Sequence, residues 1–205
     1  MPYQIPAEGP AVSDAAEKKG TTSEKDSLWI EAGFAELANS GIEGVRVEVL
    51  AKNLGVTKGG FYRRFRDRAA LLEAMLQTWS KGRIAAIEQQ ASLDGLSARE
   101  RLASIIRLYS ERTSPTGMAI ELAIRQWARS DETAARAAAS VDAARLNNVG
   151  QLYRATGLAD EEADAQAFLF YCFIFGQSLL FLDRGPRQRA QLNARSAETL
   201  LDQET

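Results

Sequence analysis

A chain of 205 residues, 45% hydrophobic and 25% charged, has enough apolar side chains to bury a core, which excludes a disordered polymer. It contains no histidine and a single cysteine, Cys172, so Ser-His-Asp and Cys-His catalysis, an intrachain disulfide and a Cys-based zinc site are excluded together. The net charge of -2 argues against a nucleic-acid partner until its distribution is considered: residues 41–68 hold seven cations and three anions, a local +4, which leaves -6 on the rest.

Residues 1–24 contain three of the five prolines, two glycines and small polar side chains without apolar periodicity, a composition that predicts a disordered N-terminal arm. The beginning lacks the basic-then-apolar layout of a signal peptide. The longest apolar run, residues 167–182, is short for a bilayer span and broken by Gln177 and Ser178. A cytoplasmic protein without a membrane partner is expected.

Leu28, Trp29, Ala32, Phe34, Leu37 and Ala38 recur every three to four residues, which predicts a helix of about three turns stopping near Ser40 and Gly41. Val47, Leu50, Ala51 and Leu54 predict a second helix of about two turns, with Gly55 supplying a left-handed stop. Thr57 is placed to cap a third helix with its hydroxyl. Phe61 and Phe65 then fall on its buried side, and Lys58, Tyr62, Arg63, Arg64 and Arg66 face outward. Two short helices joined by a glycine turn, the second tipped with cations, make a helix-turn-helix, and residues 25–72 are read as a DNA-binding domain.

Gly59 and Gly60 sit at the start of that third helix, where each costs about 1 kcal/mol relative to alanine. A helix end seated in the major groove gives them a purpose: without side chains the backbone approaches base edges and phosphate, and its free N–H groups face an anion. The alternative is a plain turn followed by a solvated amphipathic segment. A phosphate-cradling nucleotide loop is excluded, because GVTKGG lacks the closing GK[ST]. Arg63 can pair with guanine through two hydrogen bonds, whereas Tyr62 and Lys58 are better suited to fixing register on the backbone. For Arg64 and Arg66 a solvated cation and a DNA contact are equally good readings.

From Ile30 to Leu72, the segments GIEG and VEVLAKNLGVTKGGFYRRF, followed by an acidic cap and ALL, resemble the DNA-binding domain of the tetracycline-repressor (TetR) family. The resemblance implies an all-α homodimeric transcription factor, usually a repressor, with a larger C-terminal domain that dimerises and binds a small molecule. By position in the motif, Tyr62 and Arg68 resemble phosphate contacts, with Arg46 and Thr57 as lesser ones. Lys58, Gly59, Gly60 and Arg63 lie where base edges are approached. The chain departs from the usual pattern at Arg63-Arg64, where an aromatic or histidine often follows the tyrosine, and around Arg46-Val47, where a Ser or Thr usually heads helix two.

Residues 73–205 are expected to form a helical effector-binding and dimerisation domain. Asp67 caps a helix running to about residue 90 through Leu71, Leu72, Met75, Leu76, Trp79, Arg83 and Ile87. Further helices are predicted over 98–112, 116–129, 132–156 between Asp131 and the stop at Gly157, and 161–183 opened by Asp160, with a last one from Pro186. Between Ala167 and Leu182 the 161–183 helix is apolar nearly all round. Either a second chain covers it, giving a two-fold interface through 132–156 and 161–183, or it lies at the centre of a monomer's core.

Trp79, Arg83, Tyr109, Met118, Leu122, Arg125, Tyr171 and Phe175, with Glu121 and Trp127 nearby, are candidates for lining an effector pocket, though aromatics at helical spacing also serve as plain core. An inward Arg83 or Arg125 favours an anionic or carbonyl-bearing effector, because a buried guanidinium needs a partner. The expected function is a ligand-responsive repressor released from a palindromic double-stranded operator, needing no cofactor and performing no catalysis. The rival readings are a dimeric interaction module without DNA binding, and a helical enzyme using Glu121, Asp160, Glu161 and Glu162, which serve better as helix caps.

Overall fold

The computed structural model describes residues 24–91, 95–111, 115–180, 183 and 185–202. The described residues are helical with no strand, and the chain divides into two compact units, Met1–Leu72 and Glu73–Thr205. The arm expected over 1–24 lies outside the described residues apart from Glu24, which opens the first helix.

The first unit holds α1 (Glu24–Ser40), a 3-10 turn (Ile42–Gly44), α2 (Val47–Asn53), α3 (Lys58–Tyr62) and the start of α4 (Arg68–Ala91). Trp29, Ile30 and Leu37 of α1 are buried together with Val47, Leu50 and Ala51 of α2 and with Phe61 and Phe65. Phe61 is the hub, fully buried, with ring centroids 5.2 Å from Trp29 edge-to-face and 5.5 Å from Phe65 stacked. Gly55 turns the chain out of α2 at φ 66°, a left-handed conformation that a Cβ would strain. Leu28, assigned to the buried stripe, is 52% exposed; Ile30 takes its place in the core.

Two expectations need correction here. Thr57 occupies the N-cap of α3 but makes no side-chain cap bond; its carbonyl accepts from Gly60 N–H at 2.9 Å instead. The third helix is also only one turn and a half, ending at Tyr62, because Arg64 and Phe65 both donate their N–H to the Phe61 carbonyl and tighten the chain into a turn. Phe65 nevertheless reaches the core from beyond the helix end.

The second unit contains the rest of α4, then α5 (Ala98–Glu111), α6 (Pro115–Trp127), α7 (Glu132–Ala155), α8 (Asp160–Leu179) and α9 (Pro186–Leu201). Asp131 caps α7 by accepting from Ala134 N–H at 2.8 Å, and Asp67 caps α4 by accepting from Ala70 N–H at 2.8 Å. The core joins Leu102, Ile105 and Ile106 of α5, Val149, Leu152 and Tyr153 of α7, and Ala163, Ala167, Phe170 and Ile174 of α8. The Tyr153 hydroxyl donates to the Leu200 carbonyl at 3.0 Å and Arg99 donates to that of Leu201 at 2.6 Å, which ties α9 to α7 and α5. The α8 helix stops at Leu179, short of the expected 183. Leu180 still donates to Gly176 but has ψ 124°, so the chain leaves the helix just after a stretch weakened by Gly176 and Ser178, both poorer helix formers than alanine.

Candidate functional site

The outward face of α3 is set by what its inner face buries. With Phe61 locked into the hub, Tyr62 (59% exposed) and Arg63 are turned to solvent next to it. The two glycines are not required by anything inside the protein. A Cβ on Gly60 would meet nothing within 4 Å, and one on Gly59 would meet only the Thr57 hydroxyl at 3.7 Å. Neither has a positive φ. The outer surface of α3 is therefore bare backbone flanked by Lys58, Tyr62 and Arg63, with Thr57 exposed at its head and Arg46, also exposed, at the N-cap of α2.

The remaining cations of this stretch are differently employed. Lys58 forms an exposed ion pair with Glu48 at 2.9 Å, tying α3 to α2, and Hydrogen-bonding to Lys58 holds the Glu48 carboxyl below its ordinary range. Arg64 lies 3.7 Å from Asp26, and Arg66 pairs with Asp67 at 2.8 Å. Arg68, placed on phosphate by the resemblance, turns inward. Its Nε donates to the Val45 carbonyl and its Nη2 to the Ile42 carbonyl, both at 2.6 Å, so its charge braces the loop that leads into α2.

In the second unit the expected pocket residues separate. Arg83, Arg125, Tyr171 and Phe175 do come together, around a carboxylate and a further guanidinium: Glu121 (2% exposed) and Arg145 (1% exposed). Arg145 donates to Glu121 through two hydrogen bonds of 2.8 and 3.0 Å. Arg125 reaches Glu121 at 3.1 Å and grips Asp142 at 2.6 and 2.8 Å, and Arg83 completes the set 3.5 Å from Glu121. The Phe175 ring centre lies 4.2 Å from the Arg125 guanidinium carbon and 5.4 Å from that of Arg145, with Tyr171 at 6.0 Å from Arg145. Burial pushes the Glu121 carboxyl up, but the Arg145 hydrogen bonds and the charges of Arg145, Arg83 and Arg125 outweigh it, and the group is held below its ordinary range. Burial likewise disfavours the charge on Arg145, and Glu121 more than restores it.

The condition for an anionic effector, an inward guanidinium in need of a partner, is thus met largely from within: Glu121 and Asp142 supply that partner. Tyr109 is half-buried against the core and near enough to Arg145 and Tyr171 to act on both electrostatically, Trp79 is buried on α4 one turn before Arg83, and Trp127 is buried on α6. Met118 and Leu122 are half-buried on α6 and are not among the charged or aromatic contacts of the cluster. Of the carboxylates considered for catalysis, Glu121 is clamped by guanidiniums, and Asp160 pairs with Arg154 at 2.5 Å. Arg145 and Asp142 escaped the sequence reading. Their signal was present: Ala134, Ala138, Val141, Arg145, Asn148 and Leu152 follow the helical period along the buried face of α7, so Arg145 is a cation written into an apolar stripe.

Residues 30–75 match the family model described as "Bacterial regulatory proteins, tetR family". Among solved structures, a protein of Rhodococcus sp. assigned to the TetR family of transcriptional regulators is 25% identical, with a TM-score of 0.66, covering 88% of this chain and all of its own. A TetR transcriptional regulator from Legionella pneumophila is 12% identical at a TM-score of 0.69, over 91% of this chain and 100% of that one. A protein of Saccharomonospora viridis described as a transcriptional regulator, solved in complex with choline, is 18% identical at a TM-score of 0.71, over 86% and 96%. No curated protein matches the chain. Residues 30–75 are thus similar to the N-terminal domain of tetR-family bacterial regulatory proteins, and the solved structures extend the likeness in fold over most of the chain. Among the described residues no helix is long and apolar enough to cross a membrane.

Proposed function

We propose that the protein is a repressor that binds a palindromic DNA operator as a homodimer and is released by a small molecule. The observation that carries the DNA-binding part is the bare outer surface of α3. Gly59 and Gly60 weaken a short helix, yet no neighbouring atom needs their space, so the clearance serves something outside the protein. In this reading backbone at Gly59 and Gly60 approaches the major groove, Arg63 pairs with a base, and Tyr62, Lys58, Thr57 and Arg46 fix the register on phosphates. Arg68 positions the α2 entry rather than touching DNA.

Dimerisation is supported by an apolar surface on α7 and α8: Phe168 is 60%, Leu169 51% and Leu146 36% exposed. Large apolar side chains grouped in this way call for a partner, and a second copy offers the same surface across a two-fold axis. The small-molecule part is supported by the likeness to a structure holding choline and by the polar cluster around Glu121. Effector binding in the second unit would bias α4, a continuous helix from Arg68 to Ala91, toward an arrangement that no longer fits the operator.

Gel-shift titration of the full chain on the DNA upstream of its own gene, against a scrambled duplex at two salt concentrations, tests this. A specific complex whose affinity falls steeply with salt is expected. Equal binding to both duplexes, or none, contradicts it.

A further inference from the structure

The Glu121 cluster does not balance. Among the described residues it brings together three guanidiniums, Arg83, Arg125 and Arg145, and two carboxylates, Glu121 and Asp142, which leaves one positive charge over. The innermost pair, Arg145 with Glu121, is neutral. The surplus falls on the rim, where the Arg83 and Arg125 side chains are 33% and 28% exposed.

The hydrogen-bond complement leans the same way. Among the described residues, three buried atoms on these side chains and their neighbour have no partner: Nε of Arg125, Nε of Arg145 and the indole N–H of Trp79. All three are donors. Trp79 precedes Arg83 by four residues on α4, so the two share a helical face. An unpaired buried donor is costly, and native proteins leave few without cause. The aromatic rings of Phe175 and Tyr171 lie against the same guanidiniums, so polar recognition and apolar surface adjoin, as in small-molecule sites.

We infer that this cluster recognises the effector, and that the effector is an organic carboxylate on an apolar or aromatic body. One negative charge answers the one surplus cation, and oxygens that only accept answer nitrogens that only donate. A cation would meet repulsion here, and a neutral amide would leave the charge unanswered. The inference rests on the reading of the chain as a ligand-responsive regulator.

Calorimetric titration and thermal unfolding of the full chain with two matched sets read the class directly: 4-phenylbutyrate with its primary amide and 4-phenylbutylammonium, and octanoate with octanamide and octylammonium. The carboxylates should bind and raise the unfolding temperature, with each amide and ammonium ion at least about tenfold weaker. Arg83→Gln, at the rim, should weaken carboxylate binding about tenfold while circular dichroism keeps the helical content of the wild type; Arg83→Lys should recover most of the loss. Amides or ammonium ions binding as tightly, neither carboxylate binding, or Arg83→Gln binding like the wild type would each overturn the inference. A bound carboxylate that leaves the DNA complex intact overturns its role as effector. A specific DNA complex with no carboxylate binding removes the effector class and leaves the regulator standing, whereas carboxylate binding without any specific DNA complex does the reverse.

Discussion

Arg68 and Gly60 show how two residues of one motif act by different physics. Arg68 spends its guanidinium on the Ile42 and Val45 carbonyls, and losing two charge-assisted bonds costs about 1–3 kcal/mol. Arg68→Ala should therefore lower the denaturation midpoint and weaken operator binding through misplacement of α2, while the slope of log affinity against log salt stays as in the wild type. Removal of a true phosphate contact would reduce that slope by about one, so the slope discriminates the two roles. Gly60 behaves in the opposite sense. With open space where its Cβ would stand, Gly60→Ala should stabilise the fold by about 0.5–1 kcal/mol and yet weaken DNA binding, because the added methyl occupies the clearance. A melt and a gel shift on the same variant check both signs.

Among elements, α7 carries the sharpest conflict between pattern and chemistry. Its buried face is a helical stripe into which Arg145 is set, and Glu121 of α6 keeps that charge tolerable. Breaking such a pair leaves an uncompensated buried charge at about 3–5 kcal/mol, so Glu121→Gln should unfold the second unit at markedly lower denaturant. The same pair fixes an acid response. The Glu121 carboxyl is lowered in the folded protein from an ordinary 4.5, and that of Asp142 from 3.8. The stability they contribute is fully present above those ordinary values and is lost as pH falls through the lower folded ones. Thermal melts of the wild type should accordingly show this contribution unchanged from pH 7 to about 5 and its loss below about 4.

Element identity was open to reading because periodicity and caps are local: Asp67, Asp131 and Gly55 act within a turn of where they stand. What escaped was decided by partners distant in sequence. Arg145 finds Glu121 24 residues away, and Arg68 finds the Ile42 carbonyl 26 residues away. The period of α7 turns Arg145 inward, but no local pattern names the distant partner that it or Arg68 meets. The local misreading at Thr57, the hydroxyl cap, reflects a five-residue helix whose first N–H bonds go to backbone.

Over the whole molecule, charge is unevenly distributed along the chain. The cations concentrate in residues 41–68 and the remainder is acidic, which steers the first unit toward a polyanion and keeps the rest away. The exposed apolar residues Leu146, Phe168 and Leu169 gather on α7 and α8. If a second copy covers them, Phe168→Glu should convert the dimer to monomer in sedimentation velocity, leave the helical content unchanged, and weaken operator binding by at least about tenfold as the two reading helices lose their coupling.

The central claim is that α3 reads bases, once in each half of a symmetric site. It is tested most directly by titrating wild type and Arg63→Ala against every single-base variant of the operator. Loss of the guanidinium should flatten discrimination, worth about 1–3 kcal/mol, at one position and its dyad mate, leaving the other positions ranked as before. Uniform weakening at all positions, or wild-type discrimination retained throughout, would contradict it.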